Sequence, residues 1–467
     1  MFVEMELRIM KFKSLFAPTD MTVGTPWKSI AVFSLPMLIG NIAQQLYSTV
    51  DSIVVGHYVG DNALAAVGSA APIFNMLLVL FVGISAGVGI TVSQYFGAKS
   101  REDLSQTIGT SIMLTGLASL FLMICTPPVI MPLLRMLNTP ETIIYDCAAY
   151  LKIQMIGVAG MAFYNILSGI LRGMGDSFSA LIYLLIATVL NIGLDLFFVA
   201  NLHMGVAGVA LATVIAQGIS SLCCLKKLLN MRETFDLGKE QFKLSKFYAM
   251  RIIKLGLPSG VTQAIFSSAM IVVQSLTNQF GELFIAANVI VMRVDGFAMM
   301  PNLSFGTAMT TYAGQNVGAK KMDRVSQGAK QGTILAVGCA TFITAIILIF
   351  GKYLMMIFTD TPELVDMSVF NMRILAAGYI AMAITQSLSG IMRGAGDTVT
   401  PMWISLCTTV LIRVPVAYGI SFLTTTAELP HGIKECIPIS LLCSWVMGAI
   451  LTSIFYRKGK WKKIAFS

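Results

Sequence analysis

A few polar side chains stand where an apolar chain has no ordinary use for them. Asp51 falls in the outer part of the first long apolar run, and Asn41, Gln44, Ser48 and Asp51 recur there at helical spacing as a polar stripe. Asn191 and Asp195 are four residues apart in a later run, hence on one face of a helix, and Thr213 in the run after it can add a hydroxyl. Ionisable residues inside a membrane span cost from about 2.5 kcal/mol upward, so each invites a functional reading. Two carboxylates brought together in a low-dielectric cavity cannot both stay charged cheaply: one takes a proton, or a cation is held. Oxygen ligands suit a hard ion such as sodium, and an Asp pair also suits a proton. The plainer alternative is that Asp51 ends a helix near the outer interface and Asp195 faces a water-filled crevice without titrating.

The second half of the chain carries different charges: Arg293 and Asp295 in its second apolar run and Arg413 in its fifth. An unpaired intramembrane arginine is costly, so Asp295 is expected to balance one of the two arginines. The sharper alternative makes Asp295 a second protonation site or an anchor for a cationic substrate.

These residues need elements to hold them. Of 467 residues, 56% are hydrophobic and only 12% charged, with a mean hydropathy of +0.78. That composition excludes a set of soluble domains and implies a polytopic membrane protein. Long, continuously apolar runs follow one another from Ile30 to Tyr456, and about twelve spans are expected, among them 107–131, 148–170 and 369–391. Barrel strands would alternate over about 10 residues, which these runs do not. The fold class is therefore all-α.

The net charge of +9 sits at alternate breaks: Lys99 and Arg101, Arg172, the stretch from Lys226 to Lys254, Lys320 to Lys330, Arg393 and the tail from Arg457 to Lys463. The positive-inside rule makes that side cytoplasmic, with both termini on it, in a cell (plasma or inner) membrane. The charge thus answers to the bilayer and not to nucleic acid. The opening sixteen residues, weakly amphipathic and unlike a cleavable signal, either lie on the cytoplasmic interface or form a frayed tail. The eight cysteines lack metal spacing, and the three histidines, His57, His203 and His431, fall at expected outer breaks with no HExxH pattern, so an enzyme is not expected. No cofactor is implied.

An internal repeat organises the chain. LSGILRGMGD at Leu167 to Asp176 returns as LSGIMRGAGD at Leu388 to Asp397, a shift of 221 residues, and Gln94 to Lys99 matches Gln315 to Lys320 at the same shift. Each half carries six spans, so the two six-helix lobes are expected to be related by a pseudo-two-fold axis along the membrane normal, an architecture suited to alternating access. The expected divisions are 1–29, an N-terminal cytoplasmic segment; 30–228, the N-lobe; 229–251, a cytoplasmic linker; 252–456, the C-lobe; and 457–467, a basic tail. In each repeated turn the glycines suit a left-handed helix end, and Asp176 or Asp397 can cap the next helix. Arg172 or Arg393 can reach carbonyls or lipid phosphate, with a gating role as the alternative.

The chain resembles the multidrug and toxic compound extrusion (MATE) antiporters. The resemblance rests on Ser34-Leu35-Pro36 with Asn41, TVDSIVVGHYVG at Thr49 to Gly60, the GAK turns, both RGxGD turns, Asn191 to Asp195, Gly205 to Gly208 and Arg413-Val414-Pro415, spread over nearly the whole chain. It implies export of bulky, often cationic organic compounds driven by inward sodium or proton flow, with a monomer expected. It also implies that Asp51, Asn191, Asp195 and Thr213 line an N-lobe cation site, with Asn165 in its hydrogen-bond network. The C-lobe departs from this pattern: at the repeat shift Ile412 and Val416 stand opposite Asn191 and Asp195, and Gln263 stands where some family branches carry an acid. A lipid-linked oligosaccharide flippase of the same superfamily is the alternative, although its cavity should be richer in Arg and Lys. The 30 Met and 27 Phe residues pack helices or face lipid, or furnish an adaptable cavity.

Overall fold

The computed structural model of the chain describes residues 18–137, 139–238 and 240–465. The opening segment, read above as an interfacial element or a tail, lies outside the described residues. Every regular element among the described residues is helical. The first half contains α1 (Pro26–Tyr58), α2 (Asp61–Gly97), α3 (Arg101–Cys125), α4 (Pro127–Met136), α5 (Ile144–Ile156), α6 (Val158–Gly173), α7 (Ser177–Asp195) with a π-helical extension Leu196–Asn201, and α8 (Gly205–Leu229). The second contains α9 (Lys246–Thr277), α10 (Glu282–Gly318), α11 (Met322–Met356), α12 (Pro362–Ala376), α13 (Gly378–Gly394), α14 (Val399–Leu406) with a π-helical segment Cys407–Arg413, α15 (Val414–Leu423), α16 (Cys436–Lys458) and the short α17 (Lys460–Ile464).

Ten of these helices, some with a short extension, are long and apolar enough to span a bilayer, and twelve spans result if two bent pairs each count as one. The bent pairs are the stretches expected as single spans at 148–170 and 369–391. α5 and α6 meet at 52° and α12 and α13 at 43°, with Gly157 and Gly378 at or beside the breaks. Other helices press closely on both breaks. A Cβ on Gly157 would come within 2.2 Å of the Val214 side chain, and one on Gly378 within 2.4 Å of the Trp445 ring. The span expected at 107–131 stops earlier, at Cys125, because Pro127 and Pro128 have no amide N–H to continue the ladder and instead open α4.

The described residues divide into two compact units: 18–20 with Pro36–Gly260, and Met21–Leu35 with 261–465. α1 and α9 each change unit beside an intrahelical proline, Pro36 and Pro258. In the first unit the opening of α9 packs on α2 through glycines, where a Cβ on Gly87 would strike the Ile252 carbonyl at 2.1 Å and one on Gly256 the Gly83 carbonyl at 2.1 Å. Lipid is as apolar as Leu, so such backbone approach supplies cohesion that burial alone does not. The connection from Asn230 to Ser245 docks on α3. Arg101 holds Asp236 through Nε and Nη2, both at 2.8 Å, and also donates to the carbonyls of Arg232 and Glu233. In the second unit Arg324 on α11 likewise donates to the carbonyls of Met21, Val23 and Gly24.

Candidate proton and cation site

The first unit brings Asp51 and Asp195 together. Asp195 is the last residue of α7, fully buried where the helix widens from α to π, a transition frequent at functional positions. Asp51 reaches it from α1, and the two carboxyls stand within hydrogen-bonding range. A hydrogen bond between carboxyls needs a proton on one of them. One oxygen of each, Oδ1 of Asp51 and Oδ1 of Asp195, is buried without a donor among the described residues, so the pair has acceptor capacity that a proton or a cation would satisfy.

Asn191, one turn before Asp195 and also fully buried, is oriented by its neighbours: its amide nitrogen donates to Asp195 Oδ2 (2.9 Å), and its oxygen accepts from the Thr213 backbone N–H (3.3 Å). The Thr213 hydroxyl on α8 donates to the Val209 carbonyl (3.1 Å) and accepts from Tyr47 Oη (3.2 Å). Tyr47 sits one helical turn before Asp51, so α1 presents a phenol and a carboxyl on the same face. Tyr150 and Gln154 on α5 complete the setting: Tyr150 lies within the field of both carboxyls, and Gln154 Nε2 is buried without a partner among the described residues. Tyr47, Tyr150 and Gln154 are contributions that the polar stripe did not point to. Within the stripe, Gln44 and Ser48 are exposed, and Ser48 donates back to the Gln44 carbonyl.

Asn165 lies on α6 and donates to the Met161 carbonyl of its own helix (2.9 Å), while its backbone carbonyl accepts from Ser85. It makes no hydrogen bond to the carboxyl pair among the described residues.

In the second unit the residues split differently. Arg293 is exposed, and so is Gln263. Arg413, 5% exposed at the end of its π-helical segment, is the arginine whose charge Asp295 feels. The expected balance is thus through the field and not through a bridge: Asp295 Oδ1 accepts from Tyr379 Oη at 2.9 Å, and no arginine or lysine nitrogen among the described residues lies within 4.0 Å of it.

The repeated turns are built alike. Asp176 accepts from the Ser179 N–H (2.9 Å) and hydroxyl (2.7 Å), and Asp397 from the Thr400 N–H (3.0 Å) and hydroxyl (2.8 Å), so both cap the following helical segment. Burial pushes the Asp176 carboxyl up, opposed by its bonds from Ser179 and by Lys227 Nζ at 3.9 Å. Gly175 and Gly396 adopt φ of 87° and 100°, which the turn requires and other side chains resist. The Arg172 and Arg393 guanidiniums make no hydrogen bond to a carbonyl among the described residues.

Comparison with known proteins agrees with this architecture. The MatE family profile matches twice, over residues 36–197 and 258–419, one match in each half. Two relatives from Bacillus subtilis (strain 168), the probable multidrug resistance proteins YoeA and YpnP, are each 29% identical; the first aligns over 89% of this chain and 92% of its own, the second over 95% and 97%. A solved structure described as the outward-facing conformation of a multidrug resistance MATE family transporter of the MOP superfamily superposes with a TM-score of 0.88 at 25% identity, over 96% of this chain and 99% of that one. The chain belongs to the MatE family, the multidrug and toxic compound extrusion proteins, and is a polytopic membrane transporter and not an enzyme.

Proposed function

We propose that this protein exports organic, often cationic compounds across the cell membrane in exchange for inward-flowing protons, by alternating access of its two halves. The observation that carries this reading is the contact between the Asp51 and Asp195 carboxyls, each with a buried oxygen that lacks a donor. The substrate class is supported by the relatives described as probable multidrug resistance proteins. Cytoplasmic termini follow from the placement of Lys99, Arg101, Arg172, Arg393 and the basic tail.

The proton is the simpler occupant, since one shared by two carboxyls needs only the carboxyls. Protonation removes charge from the pair, and a cationic substrate favours the charged pair. The two ligands therefore oppose each other through their different affinities for the two states, which is what exchange requires.

The experiment is transport of a fluorescent organic cation in proteoliposomes with proton and sodium gradients imposed separately. Accumulation driven by the proton gradient, and lost in Asp51→Asn and Asp195→Asn, supports the reading. Accumulation driven only by sodium, or undiminished in both variants, overturns it.

A further inference from the structure

We infer that Arg413 is the point in the second unit that docks the carboxylate of an amphipathic substrate; this rests on the efflux reading and assigns it a specificity-determining residue. Arg413 is a buried cation with poorly matched partners. Both Nη atoms lie 3.4 Å from Met270 Sδ, a weak acceptor, and Nε is buried with no partner among the described residues. No carboxylate oxygen lies within 4.0 Å of it; the two ion pairs among the described residues, Arg101–Asp236 and Lys227–Asp176, are elsewhere. A guanidinium offers a planar fork of five donors that a carboxylate matches two at a time, and here that fork faces a thioether.

The natural counter-charge is present but withheld. Asp295 senses Arg413, yet its Oδ1 is taken by Tyr379 Oη at 2.9 Å, and Tyr379 Oη is itself positioned 3.2 Å from Met372 Sδ. The unit thus offers one positive and one negative group, near enough to share a field and not in contact. A molecule carrying a carboxylate and a cationic nitrogen complements both at once. Met270 and Asp295 are only partly buried, so the approach to Arg413 runs past side chains that are themselves accessible. The thioether also yields readily, because Met is flexible and its bond to a guanidinium is weak.

The test uses two dyes with one ring system: rhodamine 110, a zwitterion with a free carboxylate, and rhodamine 123, its cationic methyl ester. Their dissociation constants are measured on the purified full chain in nanodiscs, and the readout is the ratio of the two, which is insensitive to partial loss of folded protein. Arg413→Gln should shift the ratio roughly tenfold toward the ester, the scale of a lost charge-assisted fork. Asp295→Asn removes the competing carboxylate and should shift it severalfold the other way; this variant decides the matter if Arg413→Gln does not fold. An unchanged ratio in either folded variant overturns the inference. A native chain that binds rhodamine 123 and not rhodamine 110 overturns it while leaving the efflux reading intact, and one that binds neither dye counts against both.

Discussion

The carboxyl of Asp195, at the last residue of α7, lies within hydrogen-bonding range of the carboxyl of Asp51 on α1 and receives the amide of Asn191 on Oδ2 at 2.9 Å. One acid thus faces a partner that shares a proton and a neighbour that stabilises its charge. Asp195 is fully buried, so its protonation state answers to these few groups more than to bulk water.

Asn191→Leu leaves Asp195 Oδ2 without its donor. Proton-driven transport should fall by roughly tenfold or more, the scale of one lost bond to a buried charged group. Thermal stability should fall as well, by about 1–3 kcal/mol, so the rates are compared per folded protein. Initial rates in proteoliposomes at matched protein density check this, and rates within twofold of native contradict it.

Tyr47 and Thr213 should behave as one unit. Tyr47→Phe and Thr213→Val each delete the same hydrogen bond, so their destabilisations should not add, with a coupling of about 0.5–1.5 kcal/mol in a double-mutant cycle. Thermal unfolding of the four proteins in one detergent measures it; additive effects would place the two hydroxyls out of contact.

Gly157→Ala should destabilise the first unit by about 1–3 kcal/mol, since the new methyl must displace Val214 at the bend between α5 and α6. Gly193→Ala on α7, where a Cβ meets nothing within 4 Å, is the matched control and should be neutral or slightly stabilising. The comparison of their unfolding temperatures is the check.

The connection after α8 should hold to α3 in a pH-dependent way. The Arg101 guanidinium keeps the Asp236 carboxyl below the usual carboxylate range. A depressed value in the folded state means that the stabilisation is complete above the ordinary carboxylate value, about 3.9, and is lost as pH falls through the folded value. Amide exchange at residues 232–236, corrected for intrinsic rates, should be equally protected at about pH 7 and pH 5. Arg101→Ala should expose those amides at neutral pH, and unchanged protection in that variant would show that the ion pair does not hold the connection.

Much of this was legible in the residues. Asp51, Asn191, Asp195 and Thr213 stand out because polarity is costly in an apolar run, and the spacing of Asn191 and Asp195 puts them on one face. Tyr47, Tyr150 and Gln154 were hidden, because a tyrosine in a membrane helix reads as packing and only the fold reveals what its hydroxyl meets. Gln44 and Ser48 show the converse, since helical spacing aligns them with Asp51 while the fold leaves them exposed. The bends at Gly157 and Gly378 depend on Val214 and Trp445, far off in sequence, and a lone glycine in an apolar run announces no bend. Likewise no spacing rule tells which of Arg293 and Arg413 shares a field with Asp295; the fold buries Arg413 and leaves Arg293 exposed.

Proton release on substrate binding tests the central claim most directly. Purified native protein in weak buffer near neutral pH, mixed with saturating organic cation, should release protons in proportion to the binding sites filled, and Asp195→Asn should release none while remaining folded. Substrate binding by the native chain with no proton release would contradict exchange through the Asp51–Asp195 pair.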